Sequence, residues 1–194
     1  MSEPAAIVVM GVAGSGKTVV GEPLANRFCL IFRDGDEFHP PANIEKMSSG
    51  VPLVDADRWP WLDAIGRAIR DANAAGRGIL VGCSALKRAY RERIVAAAGR
   101  PVQFVFLEGR QETIQARLDL RRHHFMPASL LASQFATLEP PAPNEAAIRV
   151  SIEPPLAEVI EAAATALQAA GVVTLPLSDT AARPGARQGD SAPV

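Results

Sequence analysis

Eight residues near the amino terminus, Gly11-Val12-Ala13-Gly14-Ser15-Gly16-Lys17-Thr18, satisfy the pattern G-x-x-x-x-G-K-[ST] in full. Glycines at these spacings let backbone N–H groups turn inward around phosphate oxygens with no Cβ in the way. The helix predicted to begin at about Lys17 adds the positive end of its dipole. Lys17 is placed to reach the β- and γ-phosphates, and the Thr18 hydroxyl to ligate Mg²⁺. A buried strand before the loop and a helix after it complete the context this chemistry needs. A chance glycine-rich turn would have neither. The loop reads as a site for ATP or GTP.

A phosphate loop does not separate kinases from GTPases or motor ATPases, but the next segment does. Asp34-Gly-Asp36-Glu-Phe-His39-Pro follows the second predicted strand, and in a parallel sheet the active crevice lies beyond the carboxyl ends of the strands. On extended backbone Asp34 and Asp36 would point to opposite sides. That assigns Asp34 to the metal, through water, and Asp36 to an acceptor hydroxyl. The competing reading is an Asp-Gly turn with two solvated carboxylates. Arg58 precedes Trp59-Pro-Trp61, an aromatic pair able to wall a pocket, and its fork suits bidentate capture of a carboxylate. It could instead pair with Asp55 or Asp57 on the surface. Ser84 and Lys87, after the third strand, offer hydrogen bonds to a polyol or its carboxylate. Alternatively Ser84 caps the following helix.

Arg117 and Arg121 are four residues apart and share one helix face. With Arg122, His123 and His124 they form the densest cationic stretch of the chain. A mobile arginine stabilises charge on the γ-phosphoryl oxygens while water is excluded. Arg117 is expected against the adenine and Arg121 on the phosphates; the alternative is a basic helix face in solvent. Adjacent histidines on a helix diverge, so His123 and His124 cannot chelate a metal together.

The elements that must position these residues alternate in type. Apolar runs predict strands at Ala6–Met10, Leu30–Phe32, Gly78–Val81, Val102–Leu107 and Ile148–Ile152. Helical spacing predicts helices over 17–28, a short one over 41–47, then 59–75, 87–98, 113–122, 127–134 and 156–170. Alternation of this kind argues for an α/β fold, a parallel sheet with helices on both faces. Pro23 falls inside the first helix, where a lost backbone bond costs on the order of 3 kcal/mol and predicts a kink or irregularity.

The 194 residues suffice for one ordinary domain. At 48% hydrophobic and 21% charged the composition is that of a globular protein. A net charge of −1, with no basic run, excludes a sequence-independent grip on nucleic acid or an anionic membrane. Cys29 and Cys83 show neither metal-ligand nor redox spacing and read as reduced thiols behaving as small hydrophobes. No apolar stretch approaches the ~18 residues of a membrane span, and Met1-Ser-Glu-Pro is no secretory leader. A cytoplasmic protein is expected. From about Ser178 large apolar residues vanish until Val194, which predicts a mobile tail over 176–194.

Together these motifs resemble the bacterial-type gluconokinases, relatives of shikimate and adenylate kinases. The likeness covers about residues 6 to 170. It is carried by Met10-Gly-Val-Ala-Gly-Ser-Gly-Lys-Thr18, Asp34-Gly-Asp-Glu-Phe-His-Pro40, Asn43-Ile-Glu-Lys-Met47, Asp57-Arg-Trp-Pro-Trp-Leu62, Cys83-Ser-Ala-Leu-Lys87, His124-Phe-Met-Pro127 and Ser133-Gln-Phe-Ala-Thr-Leu-Glu139. The resemblance implies a P-loop NTPase three-layer fold over 1–175, with a five-stranded parallel sheet in the order 2-3-1-4-5. It also implies acceptor-binding helices over about 40–62 and a lid over about 117–135. The implied reaction transfers the γ-phosphoryl of ATP, with Mg²⁺, to the 6-hydroxyl of D-gluconate, in a homodimer. Implied acceptor ligands are Asp36, His39, Arg58, Ser84, Lys87 and Gln134; the adenine edge would rest near Pro154, after the fifth strand. The chain departs from the family pattern at His123, where members usually carry glycine, and at Pro23, Cys29 and Pro154. None of these touches Lys17, Asp36 or Arg58.

Two other readings compete. One is a kinase for another polar acceptor, such as shikimate or a different aldonate. The other is a nucleotide-dependent switch. A GTPase-type switch would carry a base-reading N-K-x-D, which is absent from the sequence, and it leaves Asp36 and Arg58 without a task.

Overall fold

The computed structural model describes residues 3–120 and 128–174. Strand β1, Ala6–Met10, is buried along its whole length. Its alternate side chains nevertheless serve two different cores, because successive Cβ atoms leave opposite faces of a strand. Ile7 and Val9 pack with helices α1 (Lys17–Arg27) and α7 (Leu156–Ala169). Ala6, Val8 and Met10 pack with α3 (Asp55–Ala74) and α4 (Arg88–Ala98) on the other side.

The remaining strands are β2 (Ile31–Asp34), β3 (Ile79–Gly82), β4 (Gln103–Glu108) and β5 (Ala147–Ser151). All pairings are parallel and the order is β2-β3-β1-β4-β5, as the resemblance implies. Val8 stands in the middle, level with Val81 on one side and Phe104 on the other. The carboxyl ends of β1, β2 and β3 therefore open on one edge, where the phosphate loop, Asp34 and Ser84 follow. Helices α2 (Pro41–Ser48), α5 (Gln111–Asp119) and α6 (Ala128–Thr137) complete the described elements.

Four expectations are corrected. Asp34-Gly-Asp36 is not extended: Gly35–Phe38 forms a 3₁₀ turn, with the Asp34 carboxylate accepting the Asp36 amide at 3.0 Å. A short polar side chain competing for nearby backbone makes such a turn. Gly35 is needed there, since a Cβ would lie 2.4 Å from the Gly82 carbonyl oxygen. Helix α3 starts at Asp55 rather than Trp59. Asp57 accepts the Val54 amide at 3.0 Å, and two acidic residues in the first turn suit the helix dipole, so the helix extends back past Pro60. Cys29 is exposed, in the left-handed region at φ 54, and not a core hydrophobe. Cys83 is buried, which pushes its thiol up to about 12. Helix α1 runs through the exposed Pro23 as one element. Arg121, His123, His124 and the tail beyond 174 lie outside the described residues.

Candidate active site

The phosphate loop joins β1 to α1. Gly16 stands at the N-cap of α1 with φ 98 and no side-chain cap, so the first-turn N–H groups remain for a ligand. Gly11 cannot be larger, because a Cβ would meet the buried Ser15 hydroxyl at 2.7 Å. Lys17 lies back along the loop and donates to the carbonyls of Gly11 and Val12, each at 3.1 Å. The loop is tied to its surroundings at two points. The Gly11 amide meets the Ser84 carbonyl at 3.4 Å, and the Ala13 amide donates to Gln134 Oε1 at 2.7 Å. Gln134, implied as an acceptor ligand, is thus engaged with the phosphate loop.

Beside the loop lies a cavity of about 340 Å³, lined by Gly14, Gly16, Val19, Arg117, Pro154 and Leu156 among others. Its size and apolar walls suit a nucleoside. Arg117 donates to the Ile152 carbonyl at 2.5 Å and so holds the loop after β5. Glu153 holds the same loop from the other side. Its carboxylate accepts from the Arg110 amide at 3.0 Å, the Arg110 guanidinium at 3.2 Å and the Thr113 hydroxyl at 2.9 Å. These bonds, the Arg110 amide foremost, hold Glu153 down at about 2. Sequence reasoning missed this residue, which caps α5 from 43 positions away.

Thr18 and Asp34, the two residues assigned to the metal, come together: the Thr18 hydroxyl donates to Asp34 Oδ2 at 3.4 Å. Hard oxygens beside a phosphate loop fit Mg²⁺, which keeps waters and leans on substrate phosphates. Asp36, on the same turn, extends into solvent with its side chain 88% exposed. His39 Nε2 stands 3.9 Å from Asp36 Oδ1. The imidazole stacks on Trp61 at 4.2 Å and meets Asn43 Nδ2 at 3.3 Å through Nδ1. Trp61 in turn donates to the Gly35 carbonyl at 2.7 Å, locking the turn onto α3. Burial lowers the His39 pKa, opposed by Asp36 and assisted by Arg58.

Arg58 is therefore within electrostatic reach of the Asp36 turn. On its other side it lies 3.7 Å from Asp55, with its guanidinium over the Tyr90 ring at 5.7 Å. Lys87 reaches the two Asp55 oxygens at 3.0 and 2.8 Å, and the Tyr90 hydroxyl donates to Asp55 at 2.5 Å. Those bonds, from Lys87 first and Tyr90 second, depress the Asp55 pKa and raise that of Lys87. Ser84 does not cap α4. Lys87 occupies the N-cap position, and the Arg88 amide is accepted by Glu139 from α6's trailing loop at 2.7 Å. Tyr90 could have been found from its i,i+3 spacing to Lys87; Glu139 had no local signal.

A sequence-family profile described as an AAA domain matches residues 7–141. The gluconokinase of Gluconobacter oxydans is 50% identical over 151 residues, 78% of this chain and 84% of that protein. The thermosensitive gluconokinase of Escherichia coli is 43% identical, covering 79% and 82%. Among solved structures, a gluconokinase from Sinorhizobium meliloti superposes with a TM-score of 0.78 at 45% identity, over 88% of this chain and 95% of the other. An APS kinase of Mycobacterium tuberculosis, at 18% identity and TM-score 0.60, shares the fold. With its phosphate loop, its five-stranded parallel sheet and relatives of this closeness, the chain is a P-loop kinase belonging to the gluconokinase family.

Proposed function

We propose that the protein transfers the γ-phosphoryl of ATP to the 6-hydroxyl of D-gluconate, giving 6-phospho-D-gluconate and ADP. The observation that carries this reading is one continuous run of groups along the strand ends. Thr18 bonds Asp34 at 3.4 Å, Asp34 bonds the Asp36 amide at 3.0 Å, His39 stands 3.9 Å from Asp36, and Trp61, on the helix that carries Arg58, bonds the Gly35 carbonyl at 2.7 Å. This run supports a reading in which phosphate, metal, hydroxyl and carboxylate are held in that order along one crevice. The relatives named gluconokinase favour gluconate over other acids as the acceptor.

In this reading the loop amides and Lys17 hold the phosphates, and Arg117 and Pro154 wall the base. Mg²⁺, when bound near Thr18 and Asp34, neutralises phosphate charge. Arg58 and Lys87 anchor the acid at one end of the acceptor. Asp36 orients the hydroxyl at the other end and takes its proton, late in a largely dissociative transfer. Arg121 is assigned to the transferring phosphoryl group, His39 and Ser84 to acceptor hydroxyls, and the homodimer and a cytoplasmic setting complete the proposal.

A coupled ADP-release assay across a panel of sugar acids and shikimate tests it. Turnover is expected to be highest on D-gluconate, with phosphorus NMR showing a 6-phosphate. A kcat/KM higher for shikimate or for another aldonate would overturn the assignment.

A further inference from the structure

We propose that Asp55 determines acceptor specificity by charge: it is a fixed carboxylate that cancels one of the two cations at the acid-binding end, so that the site prefers a head group carrying a single negative charge. The inference deepens the reading above and rests on it, since it takes Arg58 and Lys87 as the anchor for the acid.

Among the described residues the charges around Arg58 are these. Lys46 and Asp57 pair with each other at 2.6 Å and cancel. Burial lowers the His39 pKa and so favours its neutral form. Tyr90 is a neutral phenol whose proton is directed at Asp55. With Asp36 assigned to the hydroxyl end, beyond His39, what remains at the acid end among the described residues is Arg58 and Lys87 against Asp55, a net charge of +1. Asp55 spends both oxygens on Lys87 and one on Tyr90. Its 3.7 Å approach to Arg58 is too long for a hydrogen bond. The guanidinium fork is thus the looser partner, and the one an incoming carboxylate can take bidentately. Lys87 arrives already half-neutralised. A neutral polyol would leave the surplus charge of Arg58 unmatched, and a dianion would meet Asp55 as a like charge, so both are disfavoured.

The test uses three six-carbon probes: D-gluconate with one negative charge, D-glucitol with none, and mannitol 1-phosphate with nearly two at pH 7.5. Dissociation constants are measured by calorimetry on the wild type, Asp55→Asn and Lys87→Met. Asp55→Asn keeps the shape and an acceptor oxygen for Tyr90. It is expected to shift the preference from gluconate toward mannitol 1-phosphate by about tenfold or more. Lys87→Met should shift preference toward glucitol, the opposite direction. If Asp55→Asn does not fold, Asp55→Ser, which also removes the charge and leaves an oxygen for Tyr90, carries the same expectation. Equal weakening of all three probes would show Asp55 to be structural only, and would overturn the proposal. A wild type that binds glucitol as tightly as gluconate would instead overturn the acid-anchor reading beneath it, a different result from wild-type discrimination that the variants leave unmoved.

Discussion

Asp34 and Asp36 are two residues apart and chemically identical, yet their surroundings differ. Asp34 is held by Thr18 and by the amide of Asp36, while Asp36 points outward with His39 Nε2 3.9 Å from its carboxylate. The turn that separates them was not legible, because an Asp-Gly pair supports both an extended and a turned backbone. The residue types were legible, and the division of labour between them is the proposal made above. Asp36→Asn keeps shape and one acceptor oxygen but loses the base and the charge. Its turnover is expected to fall by about 10²–10⁴-fold with ATP affinity little changed. Asp34→Asn should instead raise the Mg²⁺ concentration needed for half-maximal rate, with turnover recovered at saturating Mg²⁺. Steady-state kinetics over a magnesium series separates the two. The opposite pattern would mean that the carboxylates are reversed, and normal kinetics in both would place the acceptor hydroxyl elsewhere.

At the scale of elements, local periodicity located nearly every helix and strand, since each buries a stripe or a face of its own. What it could not report were contacts made across the chain. Asp55 meets Lys87 and Tyr90 from 32 and 35 positions away, and Gln134 meets Ala13 from 121. No spacing rule reaches that far. Glu153 is another such contact, and it carries a pH signature. Its carboxyl titrates at about 2 when folded against an ordinary 4.5, so the folded state favours the ionised form. The stabilisation is fully present above about pH 4.5 and is lost as pH falls toward 2. Glu153→Gln should therefore lower the melting temperature near neutrality, with the gap to wild type closing between pH 4.5 and 2. A gap that stayed constant from pH 6 to pH 2.5 would show that the Glu153 charge does not brace α5 against the loop after β5.

Across the whole molecule, one buried ion pair joins the acceptor side of the sheet to its far edge. Arg91, on α4, is 1% exposed and grips Glu145, just before β5, at 2.5 and 2.9 Å. Its remaining nitrogen donates to the carbonyls of Ala85 and Leu86, pinning the loop that carries Ser84 and Lys87. Removing one member of such a pair strands the other charge. Arg91→Met is expected to destabilise the protein by about 3–5 kcal/mol in urea unfolding, and a second change, Glu145→Met, to restore part of it. Additive losses in the double variant would argue against a coupled pair.

The strand order has a consequence for how the chain is made. Strands β1 and β2 are first to leave the ribosome, but they never touch: each pairs with β3, and β1 also with β4. Until residues 79–82 emerge, no native ladder can form, and the phosphate loop has no sheet to hang from. Strands β1 and β2 therefore wait, unpaired, until residues 79–82 have been synthesised. Long-range parallel pairing of this kind is slow and leaves strand edges open to other chains. The loop that reads most clearly in the sequence is thus among the later features to take its native shape during translation.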